Sequence, residues 1–538
     1  MKGVKPGKSP GRAAPTPKRR KATSEIKTES VSLKLIDPFL VTPEPLRVVF
    51  SDPHDRNCID VVLVNEDGEP LTEYTKKLLK NGGLPASARM PKGKFGYSIL
   101  FGNKKTFLVM CVGMKSLRVL GGRITRALLE QDFAVARIHT DPVAYIKKRD
   151  IPERFQAFLH GLQTPTYSFD LKTKEKKKRS LETLYFCGDL GIPKEQAETI
   201  AHFVEQLVLV EHFSRVLIDL PPQPGCMSTT DMVRLARHIA ASSDPKCVSL
   251  EVIEGEDLDW KGLGALWGVG KGRTDAPPAL VVLLYRGAGK GRPIVALVGK
   301  CLVFDTGGEN LKSSGNIEEM KLDMSGAAMV LGTFCMAINM KARVNLVVTL
   351  AVADNAVSGS SYHPSSVLPS YSGKTIEVLD TDAEGRLALA DGVAYTEKNY
   401  RPDYLITLAT LTGACVVALG NDFAGLFAKT PKMVEAIETA SKKTWNKVWH
   451  MPLAEAEHTV LKESKIADVA NLGERWGGAI TAAKFILDEF AQTKEAAHLD
   501  VAGVAAEAPD ATGMKSAFAT GWGPALLWEV VHILSKNK

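Results

Sequence analysis

The segment from Lys300 to Arg386 constrains this 538-residue chain more than any other part of it. Carboxylates and cations follow apolar runs and stand beside glycines: Lys300, Asp305, Lys312, Asp323 and Asp380-Thr381-Asp382-Ala383-Glu384-Gly385-Arg386. Hard divalent cations prefer oxygen ligands, and carboxylates bridge pairs of such ions about 3.5–4 Å apart. The pattern therefore predicts two adjacent divalent cations that bind a carbonyl compound. Each residue alone favours an ordinary structural role, so the prediction depends on their joint occurrence.

The run from Asp382 to Arg386 is predicted to be extended. In an extended segment Asp382, Glu384 and Arg386 alternate to one side, so all three would face the same pocket. Helix formers follow at 387–390, which predicts a strand–turn–helix at a sheet edge, where open α/β sheets place their active sites.

Strand and helix patterns alternate along the chain, as is typical of α/β proteins. Strands are predicted at 47–50, 60–64, 106–112, 279–285, 294–298, 345–353, 374–379 and 404–409, and helices at 116–131 and 193–217. The sequence thus predicts an N-terminal α/β domain followed by a larger α/β domain with a central mixed sheet flanked by helices. The glycine-rich run 286–293 resembles a phosphate-binding loop, but it lacks the spacing and the Lys-Ser/Thr of a P-loop. We expect a hairpin turn there.

The net charge of +7 belongs to the N-terminus. Residues 1–30 hold nine Lys/Arg against Glu25 and Glu29, and nine minus two accounts for the whole +7. The remaining chain is near neutral and gives no global electrostatic case for nucleic-acid binding. The tail is predicted to be disordered because it has almost no apolar residues. The basic run 17–21 has four possible interpretations: a nuclear signal, a nucleic-acid contact, organelle targeting or a solvated tail. A second basic segment, 172–179, is predicted to be an exposed loop.

Cysteine spacing and hydropathy bound the compartment. None of the eight cysteines forms a Cys-x-x-Cys pair, which argues against a disulfide framework or a zinc–thiolate site and favours a reducing compartment. No apolar run approaches the roughly 18 residues of a membrane span, and the start lacks the apolar core of a signal peptide.

Several motifs together resemble the leucyl (cytosol) aminopeptidase family. They are Val298-Gly299-Lys300, Phe304-Asp305-Thr306-Gly307-Gly308, Lys312, Met320 with Asp323, Thr381 to Leu387, Thr410 to Ala414, and His498 to Val504. The resemblance covers roughly residues 216–538, is weak over the N-terminal domain and is absent from the tail. Together with the composition of the tail and the predicted elements, it divides the chain into a disordered tail at 1–30, an N-terminal domain at 31–190, a linker helix at 191–215 and a catalytic domain at 216–538.

The resemblance also implies the cofactors. One metal would be held by Lys300, Asp305, Asp323 and Glu384, and the other by Asp305, Glu384 and both the side chain and the backbone carbonyl of Asp382. Asp305 and Glu384 would bridge the two metals, with Zn²⁺, Mn²⁺, Co²⁺ or Mg²⁺ as candidates. A lysine that binds a metal must be neutral, and a nearby dication lowers its pKa. Lys312 would stay charged and stabilise the oxyanion, and Arg386 would hold a bicarbonate that acts as general base.

The implied reaction is removal of N-terminal amino acids from peptides by a metal-bridging water. The side-chain pocket would include Met320, Thr410, Leu411 and Gly413 and favour Leu, Met or similar apolar residues. The family also implies a homohexamer that acts on peptides in the cytoplasm without a membrane. Only the basic tail leaves nucleic acid, an organelle or the nucleus open.

Three positions depart from the family pattern: Cys301 in place of Gly, Thr306 in place of Ser, and Asp380 in place of Asn. We interpret Cys301 as a small buried hydrophobe, with a redox-sensing thiol or a soft metal contact as the alternatives. Asp380 adds a negative charge beside the cluster. Two other functional hypotheses are a DNA-associated protein, supported only by the basic segments, and a pseudoenzyme, against which the intact motif residues argue.

Overall fold

Two large β-sheets, one of six strands and one of eight, organise the described part of the chain. The structure is a computed structural model. It describes residues 46–50, 58–64, 73–83, 97–101, 106–111, 116–139, 150–171, 181–188, 190–315, 317–453, 461–506 and 518–536. The predicted disordered tail (1–30) and basic loop (172–179) lie outside these residues.

The smaller sheet has six described strands. They are β1 (Arg47–Val49), β2 (Ile59–Val64), β3 (Tyr97–Phe101), β4 (Thr106–Cys111), β5 (Val135–His139) and β6 (Thr183–Cys187). The order is β1-β6-β5-β2-β4-β3, parallel throughout except for the antiparallel pair β3–β4. Successive residues of β2, Val61 and Val62, are both buried, as expected of a central strand in a parallel sheet. Three described helices accompany this sheet: α1 (Glu73–Asn81), α2 (Leu117–Glu130) and α3 (Ile151–Gln163).

A long helix, α4 (Lys194–Asp219), joins the two cores. Ala197 and Val204 pack into the core of the smaller sheet, whereas Val210 and Leu217 pack into the core of the larger one. The helix ends where Leu220 precedes two prolines, because the residue before a proline disfavours helical backbone.

The remaining elements build the larger sheet and its layers. The strands are β7 (Val248–Glu254), β8 (Ala279–Arg286), β9 (Ile294–Asp305), β10 (Asn345–Asn355), β11 (Val367–Pro369), β12 (Thr375–Glu377), β13 (Tyr404–Ala409), β14 (Ala424–Ala428), β15 (Val448–His450), β16 (Val469–Ala470) and β17 (Ala496–Asp500). The helices are α5 (Thr229–Ala241), α6 (Asp257–Trp260), α7 (Gly264–Gly270), α8 (Ser325–Asn339), α9 (Glu384–Tyr400), α10 (Gly413–Leu419), α11 (Pro431–Lys443), α12 (Gly478–Lys484) and α13 (Pro524–Ser535). Short 3₁₀ helices span Thr164–Thr166 and Ile317–Met324, and a π-helix spans Phe485–Phe490.

The larger sheet has the order β15-β14-β17-β13-β9-β10-β8-β7. Its four central strands, β17, β13, β9 and β10, are parallel, so their carboxyl ends share one edge. Strands β8 and β14 run antiparallel to this group on either side. A separate small sheet pairs β11, β12 and β16. The predicted fold class, an α/β chain with a mixed central sheet, is confirmed.

Helices cover both faces of the larger sheet. Strand β9 shows this directly, since Leu297 and Val303 belong to one core and Val298 and Leu302 to the other. Cys301 alternates into the first core and is fully buried, which agrees with its interpretation as a small hydrophobe. The segment Ile317–Asn339 is long and apolar enough to span a membrane, but 83% of its most apolar window is buried inside the protein. Such burial is typical of a core helix.

Two sequence-based predictions about this sheet were wrong. Residues 286–293 do not form a hairpin turn, because β10 lies between β8 and β9 and pairs with both. Strand β9 does not stop at 298 but continues to Asp305. Gly299 interrupts the apolar pattern there for a packing reason: a Cβ at this position would lie 2.8 Å from the Cα of Ala327 in α8.

Candidate metal centre

The predicted residues converge at the carboxyl edge of the central parallel strands. Asp305 ends β9, and Thr410 follows the last residue of β13. Asp323 lies at the same edge because the 3₁₀ helix that carries it, Ile317–Met324, packs against β9. Together they border a cleft of about 570 Å³. All five carboxylate and lysine positions proposed as metal ligands, and Lys312, line this cleft: Lys300, Asp305, Lys312, Asp323, Asp382 and Glu384.

Three carboxylates come closest to one another. Oxygen atoms of Asp305, Asp382 and Glu384 all lie within 4.8 Å of one another. Asp305 and Glu384 are each 1% exposed, whereas Asp382 is open to the cleft. Asp323 stands beside them and accepts a hydrogen bond of 2.7 Å from the hydroxyl of Thr410.

Two lysines neutralise part of this charge. The Nζ of Lys300 lies 2.8 Å from Oδ2 of Asp323 and 2.7 Å from Oε1 of Glu384. The Nζ of Lys312 lies 2.8 Å from Oδ2 of Asp305 and also contacts Asp382. Four carboxylates against two ammonium groups leave a surplus of two negative charges when all six groups are ionised.

The electrostatics of the cleft reflect burial and this crowding. Burial and the charge of Asp305 raise the pKa of Glu384 well above its ordinary value. Burial also raises the pKa of Asp323, against the opposing effect of Lys300. For Lys300 itself, burial disfavours the charged form, but the neighbouring carboxylates outweigh this effect and raise its pKa. A divalent cation would relieve the same repulsion among the carboxylates.

Glycines let the chain approach the carboxylates closely. Gly307 has a φ of +87°, and its N–H donates a 2.8 Å hydrogen bond to Oδ1 of Asp305. A Cβ at Gly307 would lie 2.9 Å from Oδ1 of Asp382. Any other residue here would therefore be strained and would separate two of the converging segments.

The backbone of the last motif differs from the prediction. Residues 382–386 are not extended, because helix α9 begins at Glu384 with Ala383 as its N-cap. Glu384 and Arg386 consequently do not share a face, since residues two apart on a helix point in different directions. Glu384 reaches the cleft, and Arg386 is buried beside the cleft rather than among the residues that line it. Burial lowers the pKa of Arg386 to about 10, and its Nη1 donates a 3.0 Å bond to the carbonyl of Asn471.

All four predicted pocket residues line the cleft: Met320, Thr410, Leu411 and Gly413. Other lining residues were not predicted as site residues: Ser313, Glu319, Leu322, Thr412, Val416, Val417, Asn421, Ala502, Gly503 and Ala506. Thr412, Ala502 and Gly503 belong to the motifs of the family resemblance, but no role in the pocket was predicted for them. A signal was available for Ala502, Gly503 and Ala506. They follow β17 within six residues, and β17 is a parallel strand whose carboxyl end must lie at the same sheet edge as that of β9.

The residues present fit divalent cations. The oxygen Oε2 of Glu384 is buried and has no hydrogen-bond partner among the described residues. A buried, unpaired carboxylate oxygen is costly unless a ligand or ion satisfies it. Oxygen-rich, anionic surroundings are the donor set that hard divalent ions prefer.

Comparison with known proteins agrees with this chemistry. Residues 212–528 match the family model described as "Cytosol aminopeptidase family, catalytic domain". The probable cytosol aminopeptidase of Xanthomonas campestris is 40% identical over 362 residues, covering 66% of this chain and 70% of that protein. The probable cytosol aminopeptidase of Xylella fastidiosa is 40% identical over 369 residues, covering 68% and 71%.

Solved structures share the fold. A variant of tomato leucine aminopeptidase superposes with a TM-score of 0.77 at 26% identity, covering 91% of this chain and 97% of that one. Leucyl aminopeptidase from Leishmania major, in complex with actinonin, has a TM-score of 0.74 at 24% identity, covering 95% and 99%. The resemblance noted in the motifs is thereby confirmed: the chain belongs to the cytosol aminopeptidase family and is a metal-dependent aminopeptidase.

Proposed function

We propose that this aminopeptidase holds two divalent cations and removes N-terminal residues with Leu, Met or other apolar side chains from peptides. The observation that carries the proposal is the convergence of the Asp305, Asp382 and Glu384 carboxylates within 4.8 Å in a cleft that also holds two lysines. Lys300, Asp305, Asp323 and Glu384 would hold one cation, and Asp305, Asp382 and Glu384 the other. Zn²⁺, Mn²⁺, Co²⁺ and Mg²⁺ all remain candidates, since selectivity depends on availability as well as on ligands.

The cations would supply Lewis acidity and acidify a water molecule at neutral pH. Lys312 is suited to a different task. It is part-exposed to the cleft, and the surrounding carboxylates outweigh burial and raise its pKa, so it stays charged. A fixed ammonium group at this place can stabilise negative charge that develops on the carbonyl oxygen of the scissile peptide bond.

The support for a bicarbonate ion at Arg386 is indirect. Its Nε is buried without a hydrogen-bond partner among the described residues, so a donor remains for an anion. An anion there would lie beside Glu384, whose charge opposes it. Bicarbonate as general base at Arg386 is therefore a proposal taken from the family resemblance, with the free Nε as its support.

The apolar preference rests on the lining of the cleft. Met320, Leu411 and Val416 present apolar side chains, while Gly413 and Ala502 leave room beside them. Such a pocket discriminates by only about 1–3 kcal/mol per methylene, so the preference should be broad. We further propose that the chain assembles as a homohexamer, as the family resemblance implies. We also propose a cytoplasmic location, which the relatives' name suggests. The basic segments behind the DNA-binding hypothesis lie outside the described residues.

Hydrolysis of leucyl-7-amido-4-methylcoumarin tests the proposal. The full chain should hydrolyse it after addition of Mn²⁺, Co²⁺ or Zn²⁺, and Asp382→Ala and Glu384→Ala should each abolish hydrolysis without unfolding the protein. Glu435→Ala, on the exposed side of α11, serves as the control and should leave activity unchanged. No hydrolysis across a panel of aminoacyl substrates would overturn the substrate proposal, and near-normal turnover in either site variant would overturn the ligand assignment.

A further inference from the structure

The loop at 380–383, which carries Asp382 and leads into Glu384, is held by side chains from distant segments. Asn471 follows β16 and is fully buried. Its Oδ1 accepts hydrogen bonds from the N–H groups of Leu379 (2.8 Å) and Asp380 (3.3 Å). Its Nδ2 donates to the carbonyls of Asp380 (2.7 Å) and Ala383 (3.4 Å). One amide thus contacts both ends of the loop.

The middle of the loop is held from the other side. Asn355, at the end of β10, donates through Nδ2 to the carbonyl of Thr381 (3.0 Å) and to Oδ1 of Asp305 (2.8 Å). The hydroxyl of Tyr362 donates to the same Thr381 carbonyl at 2.8 Å. Both side chains are at least 98% buried. Asn355 therefore ties the loop to a carboxylate on a different strand.

The backbone carbonyl of Asp382 accepts none of these bonds. Asn471, Asn355 and Tyr362 bond the carbonyls of residues 380, 381 and 383, and none of their bonds goes to the carbonyl of Asp382, which lies between them. Its side chain points into the cleft with those of Asp305 and Glu384.

We infer that Asn355, Tyr362 and Asn471 are positioning residues for metal binding. They fix the loop so that the Asp382 and Glu384 carboxylates meet Asp305, while the Asp382 carbonyl, which the family resemblance already implies as a ligand, receives none of their bonds. Tyr362 and Asn471 act through the loop, and Asn355 acts through both the loop and the Asp305 carboxylate to which it donates. The inference rests on the proposed metal ligands. Removal of hydrogen-bonding partners that support a metal ligand typically weakens metal affinity about 10–100-fold, which sets the size of the expected effect.

The test measures Mn²⁺ affinity of the full chain by isothermal titration calorimetry. Asn471→Ala removes all four side-chain bonds to the loop. Asn471→Asp keeps the acceptor but loses the two donors, and it adds a negative charge that by Coulomb's law would strengthen cation binding. We expect both variants to bind Mn²⁺ about 10–100-fold more weakly than the wild type. Weaker binding by the Asp variant cannot be a charge effect.

Asn345→Ala is the matched control. Asn345 begins β10, at the opposite end of that strand from Asn355, and is also a buried amide. Its Nδ2 donates to the carbonyls of Gly289 and Arg292, and its Oδ1 accepts from the N–H of Ala288. We expect this variant to lose thermal stability as the Asn471 variants do but to keep wild-type Mn²⁺ affinity.

The outcomes separate the two proposals. If the wild type binds no Mn²⁺, the metal site itself is overturned, and this inference with it. If the wild type binds and the Asn471 variants bind equally well, only the positioning role is overturned. Should the Asn471 variants fail to fold, Tyr362→Phe decides, since it removes a single hydroxyl. We expect it to weaken Mn²⁺ binding at least threefold, with activity recovered in excess Mn²⁺, and unchanged affinity would overturn the inference.

Discussion

The Nζ of Lys300 lies 2.7 Å from Oε1 of Glu384, while Oε2 of the same carboxylate has no hydrogen-bond partner among the described residues. The lysine therefore satisfies half of a buried carboxylate and leaves the other half facing the cleft. A cation at Oε2 would compete with the ammonium group for the same negative charge. A substitution of Lys300 that keeps its positive charge can therefore test whether the amine itself binds a metal.

Lys300→Arg should reduce the number of bound Mn²⁺ ions from two to one. Arginine keeps the positive charge beside Asp323 and Glu384, but its guanidinium stays protonated and has no lone pair to offer a metal. The fold should be retained because the buried carboxylates keep a cationic partner. Calorimetric stoichiometry measures the change, and two ions bound with wild-type affinity would show that Lys300 is not a ligand.

Gly385→Ala should strongly reduce activity, whereas Gly392→Ala, in the same helix, should not. A Cβ at Gly385 would lie 2.5 Å from Cε and 2.6 Å from Nζ of Lys300, so the lysine must move. A Cβ at Gly392 would come no closer than 3.2 Å to Val298, and the gain in helix propensity of roughly 1 kcal/mol offsets this contact. Steady-state kinetics of the two variants make the comparison. Equal activities would contradict the assignment of Lys300 to the site.

Thr410→Val should weaken Mn²⁺ binding about 10–100-fold, because the hydroxyl that orients Asp323 is lost while the side-chain volume is kept. Thr333→Val is the control. Thr333 is also buried, but among the described residues its hydroxyl bonds only the carbonyl of Met329 in its own helix. Calorimetry on both variants checks the prediction, which fails if the two affinities agree.

Asp391 should make the free energy of unfolding depend on pH. It is fully buried in α9, and its two oxygens accept bonds from the N–H groups of Leu266 (2.8 Å) and Tyr371 (2.7 Å). Burial, only partly offset by these bonds, raises its pKa from 3.8 to about 7. In the unfolded chain the carboxyl group ionises near 3.8. Between these values the folded state holds a proton that the unfolded state has lost, so the stability contributed by Asp391 falls as pH rises from about 4 to 7.

Asp391→Asn isolates this effect. The amide oxygen can accept one of the two bonds, while its NH₂ group faces the other N–H, which should cost about 1–3 kcal/mol. The variant does not titrate, so the stability difference from the wild type should narrow as pH rises from 5 to 8. Thermal unfolding at several pH values measures it. A difference that stays constant would show that Asp391 does not carry a raised pKa.

The sequence was sufficient to predict that the proposed metal ligands, Lys312 and four pocket residues line one cleft, but not to predict the rest of its lining. Lys300, Asp305 and Asp323 were found because they end or flank apolar runs, and the carboxyl ends of parallel strands meet at one edge. Their convergence needs only the α/β pattern, which is local. The order of the strands is not local, and so the hairpin predicted at 286–293 was wrong: β10, more than fifty residues further along the chain, pairs with both β8 and β9.

By itself, the sequence determined the α/β fold class, the family and the set of side chains that can bind metal or stabilise charge. These follow from hydrophobic periodicity and from residue types at short spacing. Only the tertiary structure decided how the last motif is presented. It started α9 at Glu384, turned Arg386 away from the cleft lining, and placed Asn471 against a loop about ninety residues earlier. Such contacts depend on which distant segments pack together, and that choice is made by the whole core rather than by neighbouring residues.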